Sequence, residues 1–269
     1  MLAFGDRGYW DQRYTNETVG DTLLPVFDFY APFKSFYSTI RPEIRERKEQ
    51  NILVIGVGRS DIIDVLYEDG FRNIVAVDVS PMIIARMQQK YQSFSGVEFI
   101  CLDVRKMCFF VDKMFALVID KACIDALFCE IDCIQSVGAA LREIERVMHD
   151  DGMFLSISHG SPSSRLPYLR ETKWSIQLLV LPNGCGEGLS LFSMTRTESD
   201  SVTKKKMSLA GIAEESASNV PVTSLRRRDG KSMVLTVSRT AGTLTTNLEP
   251  HSLAELVRRK LEKSGPDIS

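Results

Sequence analysis

Three aspartates sit at the ends of successive apolar runs in the first half of this chain: Asp78 after 74–77, Asp103 after 97–102 and Asp120 after 115–119. Ahead of them Ile52-Leu53-Val54-Ile55 runs into Gly56-Val57-Gly58. A turn carrying two glycines lets main chain approach a ligand with no Cβ in the way. An acid ending the strand after such a turn is placed to accept both hydroxyls of a ribose. Asp103 suits the exocyclic amine of an adenine, with the Val104 N–H offered to the ring. The set points to a ligand built on a nucleoside. A dinucleotide would want a third glycine where its diphosphate meets a helix N-terminus, and that position is Asp61. A carboxylate there repels a diphosphate. S-adenosylmethionine, which carries a sulfonium, an ammonium and a carboxylate but no phosphate, tolerates it. Methyl transfer is then the expected chemistry, and the protein's work is to align an acceptor with an already activated carbon. An amine acceptor must also be held in its neutral form. Asp120, after the fourth strand and beside the expected methyl position, is the candidate for holding that amine.

The elements that must position these residues are legible in the apolar pattern. Residues 52–55 form a short run of the kind buried on both faces of a sheet. Ile62, Ile63, Val65 and Leu66 mark a helix after the glycine turn, and Gly70 stands where its C-terminus needs positive φ. Ser80-Pro81 is an N-cap and N1 pair opening a helix through Met82, Ile83, Met87 and Tyr91. An amphipathic helix is predicted over 134–148, closed by Asp150-Asp151-Gly152, with a fifth strand at 153–158. Residues 174–181 and 189–195 read as a hairpin around Pro-Asn-Gly-Cys-Gly-Glu-Gly. The order predicts an α/β fold: a Rossmann-like seven-stranded sheet, mostly parallel with a terminal antiparallel hairpin, flanked by helices. Ligands of such sheets lie outside the carboxyl ends of the strands.

The flanking segments divide the chain into a domain over 1–196, with an N-terminal segment over 1–50, and an extension over 197–269. Phe33, Phe36, Tyr37 and Ile40 predict a helix with one apolar face and Pro32 in its first turn. The Tyr9–Tyr14 stretch packs two tyrosines, a tryptophan and an arginine into six positions, a composition that suits either core or a lid over a ligand. The extension is polar, is read as partly disordered, and holds a possible edge strand at 232–238 and a possible helix at 252–264. A net charge of −2 over 269 residues argues against nucleic acid as a partner. No apolar run approaches the ~20 residues that span a bilayer, and no secretory signal is expected at the start. The six cysteines form no CxxC pair, so metal ligation is not expected and a reduced, cytoplasmic setting is.

Five stretches, YWDQRY (9–14), ILVIGVGRS (52–60), LYEDGFRNIVAVDVSPMIIARM (66–87), LDVRKM (102–107) and FALVIDKACIDAL (115–127), resemble the class I methyltransferases that modify lysines of translation elongation factor 1 alpha. This is the elongation factor 1 alpha lysine methyltransferase 4 / methyltransferase-like 13 family, and the likeness covers roughly 9–195. It implies a protein-lysine acceptor and S-adenosylmethionine as cofactor. It assigns Trp10 and Tyr14 to the cofactor, with Arg13 near its carboxylate and Phe29 as a further aromatic contact. Gly56, the Asp78-Val79 and Asp103-Val104 pairs and Lys121 match the remaining cofactor positions. The likeness also turns the aromatic stretch from a possible core element into an expected lid. Val57 and Arg59 stand where the family has Cys and Asn, and Ala122-Cys123 where it has Gly-Thr. Those departures keep a second reading open, a methyltransferase fold retained as a binding module, and a small-molecule acceptor is a third.

Overall fold

The computed structural model describes residues 4–16, 18–19, 22–23, 28–170, 172, 174–181, 189–196, 222–228 and 232–237. In chain order, α1 (Arg7–Asn16) and α2 (Lys34–Ile44) precede β1 (Ile52–Ile55). They are followed by α3 (Ile62–Glu68), β2 (Ile74–Asp78), α4 (Pro81–Lys90), β3 (Val97–Cys101), β4 (Phe115–Lys121) and α5 (Cys123–Leu127). Then come α6 (Cys133–Val147), β5 (Met148–Ser158), α7 (Pro162–Leu169), β6 (Trp174–Leu181) and β7 (Leu189–Arg196). Two more strands, β8 (Val222–Arg228) and β9 (Ser232–Val237), close the series.

All the larger strands join one sheet in the order β8-β9-β6-β7-β5-β4-β1-β2-β3. From β3 to β5 the pairing is parallel, and β7 enters antiparallel between β5 and β6. Every residue of β1, β2 and β4 is buried, as expected for strands covered on both faces. Alternation divides them between two cores. Leu53, Ile55, Val75, Val77 and Val118 pack with Val137, Leu141 and Ile144 of α6. Ile52, Val54, Ile74, Ala76, Leu117 and Ile119 face Phe36 and Ile40 of α2, Ile63 and Leu66 of α3, and Ile83 and Met87 of α4. Each Val, Leu, Ile, Phe or Met side chain among them, fully buried, contributes about 1.5–3 kcal/mol. The consequence for function is that β1, β2 and β4 end in register on one edge of a rigid sheet.

The predicted sheet is present, with several corrections. Helix α7 was not anticipated, although Ser161 as N-cap and Pro162 in the first turn are ordinary start signals. β5 begins at Met148, five residues early, because Met148 pairs with Phe115 before the register shifts to Leu117↔Met153. Asp150-Asp151-Gly152 is therefore an irregularity inside a strand and not a helix stop. The polar extension, read as partly disordered, contributes strand β8, paired with β9 through Leu225↔Leu235; β9 in turn extends the edge of β6. Ser80 is the N-cap of α4, but its hydroxyl bonds Asp11 of α1 instead of its own helix. The helix expected at 252–264 lies outside the described residues. Among the described residues no helix is long and apolar enough to cross a membrane, and no group of His, Cys, Asp or Glu is placed to hold a metal.

Candidate active site

A cavity of about 390 Å³ opens at the carboxyl ends of β1, β2 and β4, roofed by α1 and the segment 28–30. Trp10, Arg13, Tyr14, Phe29, Gly56, Gly58, Asp78, Val79, Asp103, Val104 and Lys121 all line it. The sheet brings strand ends far apart in sequence to one edge, and α1 folds back over them. That fold-back is held by the Ser80 hydroxyl on Asp11 and by Arg86, which donates to the Tyr14 carbonyl at 2.9 Å.

Gly56 and Gly58 both hold positive φ, +58° and +48°. At Gly56 the requirement is also steric, since a Cβ would lie 2.5 Å from the Cβ of Cys123 at the start of α5. Asp78 is buried, with its oxygens accepting the Gly58 N–H (2.9 Å) and the Ser80 N–H (3.0 Å). Burial pushes its carboxyl up to about 6, against the pull of those amides. Each oxygen keeps a lone pair, so the hydroxyls of a ribose fit this carboxylate. Asp103 sits two residues beyond β3 and is gripped by Arg105, with Nη2 to Oδ2 at 2.7 Å and Nε to Oδ1 at 2.9 Å. An adenine amine would share Asp103 with that guanidinium, which also pairs with Glu130 at 2.7 Å. Trp10 stacks on Tyr14 (ring centroids 5.8 Å apart), and the Arg13 guanidinium lies 5.1 Å from the Phe29 ring centre. These observations fit a nucleoside with a charged amino-acid arm.

Two acids differ from expectation. Asp120 does not line the cavity. It is 1% exposed, accepts the N–H groups of Cys123 (2.9 Å) and Ile124 (3.2 Å), and receives the Ser156 hydroxyl at 2.6 Å. It caps α5 from behind the wall, where burial pushes it up to about 7. Asp61 is absent from the lining as well. Its carboxylate takes the Phe33 N–H (2.7 Å) and Lys34 N–H (3.2 Å), the start of α2. The charge that argued against a diphosphate is a helix cap.

Residues 28–30 form a strap between the two ends of the cavity. Lys121 ion-pairs with Asp28 and donates to the Phe29 carbonyl at 2.6 Å; their side chains are 4% and 6% exposed. Burial lowers the Lys121 ammonium and raises the Asp28 carboxyl, each opposed by the other's charge. The Ser60 hydroxyl holds Asp28 from the glycine turn at 2.8 Å. Tyr30, at φ +74°, sends its hydroxyl to Asp125 Oδ2 at 2.6 Å. Asp125 also receives the Ser158 hydroxyl (2.7 Å), the His159 N–H (3.0 Å) and Arg165 Nε (2.9 Å). The Tyr30 ring stacks on His159, with centroids 5.5 Å apart.

Sequence reasoning passed over Asp28, Tyr30, Asp125, His159 and Arg165, all of which line the cavity. Asp28 and Tyr30 flank Phe29, and Asp125 lies inside the FALVIDKACIDAL stretch, so each was one step from a residue already chosen. His159 directly follows β5, a position where such sheets place ligand contacts. Ala122, in place of a family glycine, sits at φ 71°, ψ −6° as the residue before α5.

Comparison with known proteins gives concordant results. Residues 53–156 match the family described as methyltransferase domain. EEF1A lysine methyltransferase 4 of Mus musculus is 27% identical over 186 residues, 65% of this chain and 70% of that protein. The eEF1A lysine and N-terminal methyltransferase of Homo sapiens is 28% identical over 158 residues, 58% of this chain but only 22% of that longer protein. Methyltransferase srdJ of Neurospora crassa is 29% identical over 62% of this chain and 73% of its own. Among solved structures, the N-methyltransferase NodS of Bradyrhizobium japonicum shares the fold at TM-score 0.54 and 16% identity, over 70% of this chain and 99% of that one. The matched family, the sheet order and the cavity at the strand ends agree: residues 53–156 match a methyltransferase domain and lie in a sheet of the class I methyltransferase fold.

Proposed function

We propose that this protein transfers a methyl group from S-adenosylmethionine to a protein lysine, on a substrate of the elongation factor 1 alpha type. The observation that carries the reading is one cavity running from the strand-end acids to a mouth framed by the Tyr30 and His159 rings. The named relatives that act on lysines of this elongation factor support the choice of acceptor. The cofactor supplies an electrophilic methyl carbon. Asp78 holds the ribose, Asp103 and Val104 the adenine, and Arg13 the carboxylate, while Trp10, Tyr14 and Phe29 cover the site and exclude water. Lys121 acts by pinning the strap through Asp28 and Phe29.

The test is methyl transfer from labelled cofactor to purified elongation factor 1 alpha, with the modified residue located by mass spectrometry. Calorimetry with S-adenosylhomocysteine and NAD side by side checks the donor site. Tight binding of S-adenosylhomocysteine without label on any lysine refutes the protein-lysine reading. Binding of NAD alone refutes the donor assignment.

A further inference from the structure

The acceptor end of the cavity holds several groups that could take a proton, and the structure leaves all but one committed. Asp125 has both oxygens filled by four donors, from Tyr30, Ser158, His159 and Arg165. Asp28 is held by Ser60 and Lys121. Asp120 lies behind the wall. The Tyr30 hydroxyl already donates to Asp125, and burial with that carboxylate beside it raises it far above the usual phenol range. The Cys123 thiol is likewise pushed up by burial and stays protonated.

His159 is different. Its main-chain N–H is fixed by Asp125 Oδ2, and the next residue's N–H is fixed by the Ser158 hydroxyl at 2.9 Å. Its ring is exposed in the cavity mouth and stacks on Tyr30. Among the described residues no hydrogen bond reaches the imidazole. The Tyr30 ring from the strap stacks on it, Asp125 of α5 holds its main-chain N–H, and Arg165 of α7 pairs with that Asp125 at 2.9 Å. The imidazole is thus placed against Tyr30 by a fixed main chain, with its nitrogens free of hydrogen bonds among the described residues.

We propose that the His159 imidazole is the proton acceptor for the substrate amine, with Asp125 as the positioning residue that sets it against Tyr30. This rests on the methyltransferase reading. An imidazole nitrogen takes one N–H proton from the acceptor ammonium, which leaves a neutral amine. The amine nitrogen forms a bond to the methyl carbon while the carbon–sulfur bond breaks, its electron pair staying on sulfur. The products are a methylammonium and a thioether, and the imidazolium releases its proton to solvent.

His159→Ala and His159→Gln test the assignment, the second keeping bulk without the base. Both are expected to bind S-adenosylhomocysteine as the wild type does, and to lose methyl transfer to elongation factor 1 alpha by about a hundredfold or more. Imidazole added to His159→Ala is expected to restore about tenfold or more of that loss, an outcome a structural role would not produce. Independently of turnover, the chain's three histidines make the His159 ring signals assignable by their loss in His159→Ala. In the unreacting protein those signals should shift when n-butylamine, a lysine side-chain mimic, is added. Activity retained in both variants, a loss without imidazole rescue, or an amine that leaves the signals in place each overturns the proposal. A wild type that labels no elongation factor refutes the substrate reading, while the amine-induced shift still decides whether His159 faces an amine subsite.

Discussion

Replacing Ala122 by glycine should stabilise this protein. Ala122 holds φ 71°, ψ −6°, with its N–H donating to the Ile157 carbonyl at 3.2 Å and its own carbonyl accepting the Ala126 N–H at 3.0 Å. The conformation is imposed by two demands: β4 must pair with β5 up to Lys121↔Ile157, and α5 must start at Cys123 under the Asp120 cap. An L-residue in left-handed backbone costs about 1–2 kcal/mol. Glycine removes that cost but adds about 0.5–1 kcal/mol of chain entropy in the unfolded state. The net expectation is a gain of about 0.5–1 kcal/mol, a rise of about 1–4 °C in thermal midpoint for a domain of this size. Ala122→Val is the counterpart, because a β-branched residue in that region is a conformational outlier; it should lower the midpoint by several degrees. Thermal unfolding followed by circular dichroism reads both. An Ala122→Gly midpoint at or below that of the wild type refutes the argument that this position is strained.

Three other outcomes follow from the same geometry. Gly56→Ala places a Cβ 2.5 Å from that of Cys123 in left-handed backbone, so it should cost about 2–5 kcal/mol from overpacking and strain together and weaken S-adenosylhomocysteine binding, as denaturant melts and calorimetry would show. Lys121→Ala strands a buried Asp28 carboxylate and should destabilise by about 3–5 kcal/mol; adding Asp28→Asn should recover most of the loss, and a double-mutant cycle without coupling would show the pair to be idle. Asp120, raised by burial from 3.8 to about 7, is protonated in both states at low pH, but on ionising at higher pH it bears a charge the folded protein disfavours. Its contribution to stability therefore falls as pH rises from about 4 to 7, and Asp120→Asn should gain on the wild type across that window by up to about 4 kcal/mol, measured as the pH dependence of the difference in midpoint.

The glycine turn and strand-end acids that line the cavity were legible from sequence because they depend on local rules. A buried parallel strand reads as a continuous apolar run, Gly56 and Gly58 mark a positive-φ turn, and Asp78 follows its strand directly. Those signals are written within a few residues of each other, and the sheet that gathers them follows from the alternation of strand and helix. The resemblance added Trp10, Arg13, Tyr14, Phe29 and Lys121, and all of them line the cavity.

The end of the cavity around Asp125 was decided by tertiary contact alone. Asp120 and Asp125 are both acids in one short stretch, and nothing in their sequence neighbourhood says which faces the ligand. β4 keeps Asp120 under the N-terminus of α5, while the turn of that helix carries Asp125 into the cavity, where Tyr30, 95 residues away, meets it. Asp61 was placed by sequence at a phosphate-binding helix N-terminus, but 28 residues of chain return to put the start of α2 against its carboxylate. Periodicity reports which face of an element is buried. It does not report which distant donor a buried carboxylate will find, because that is set by how the elements close on one another.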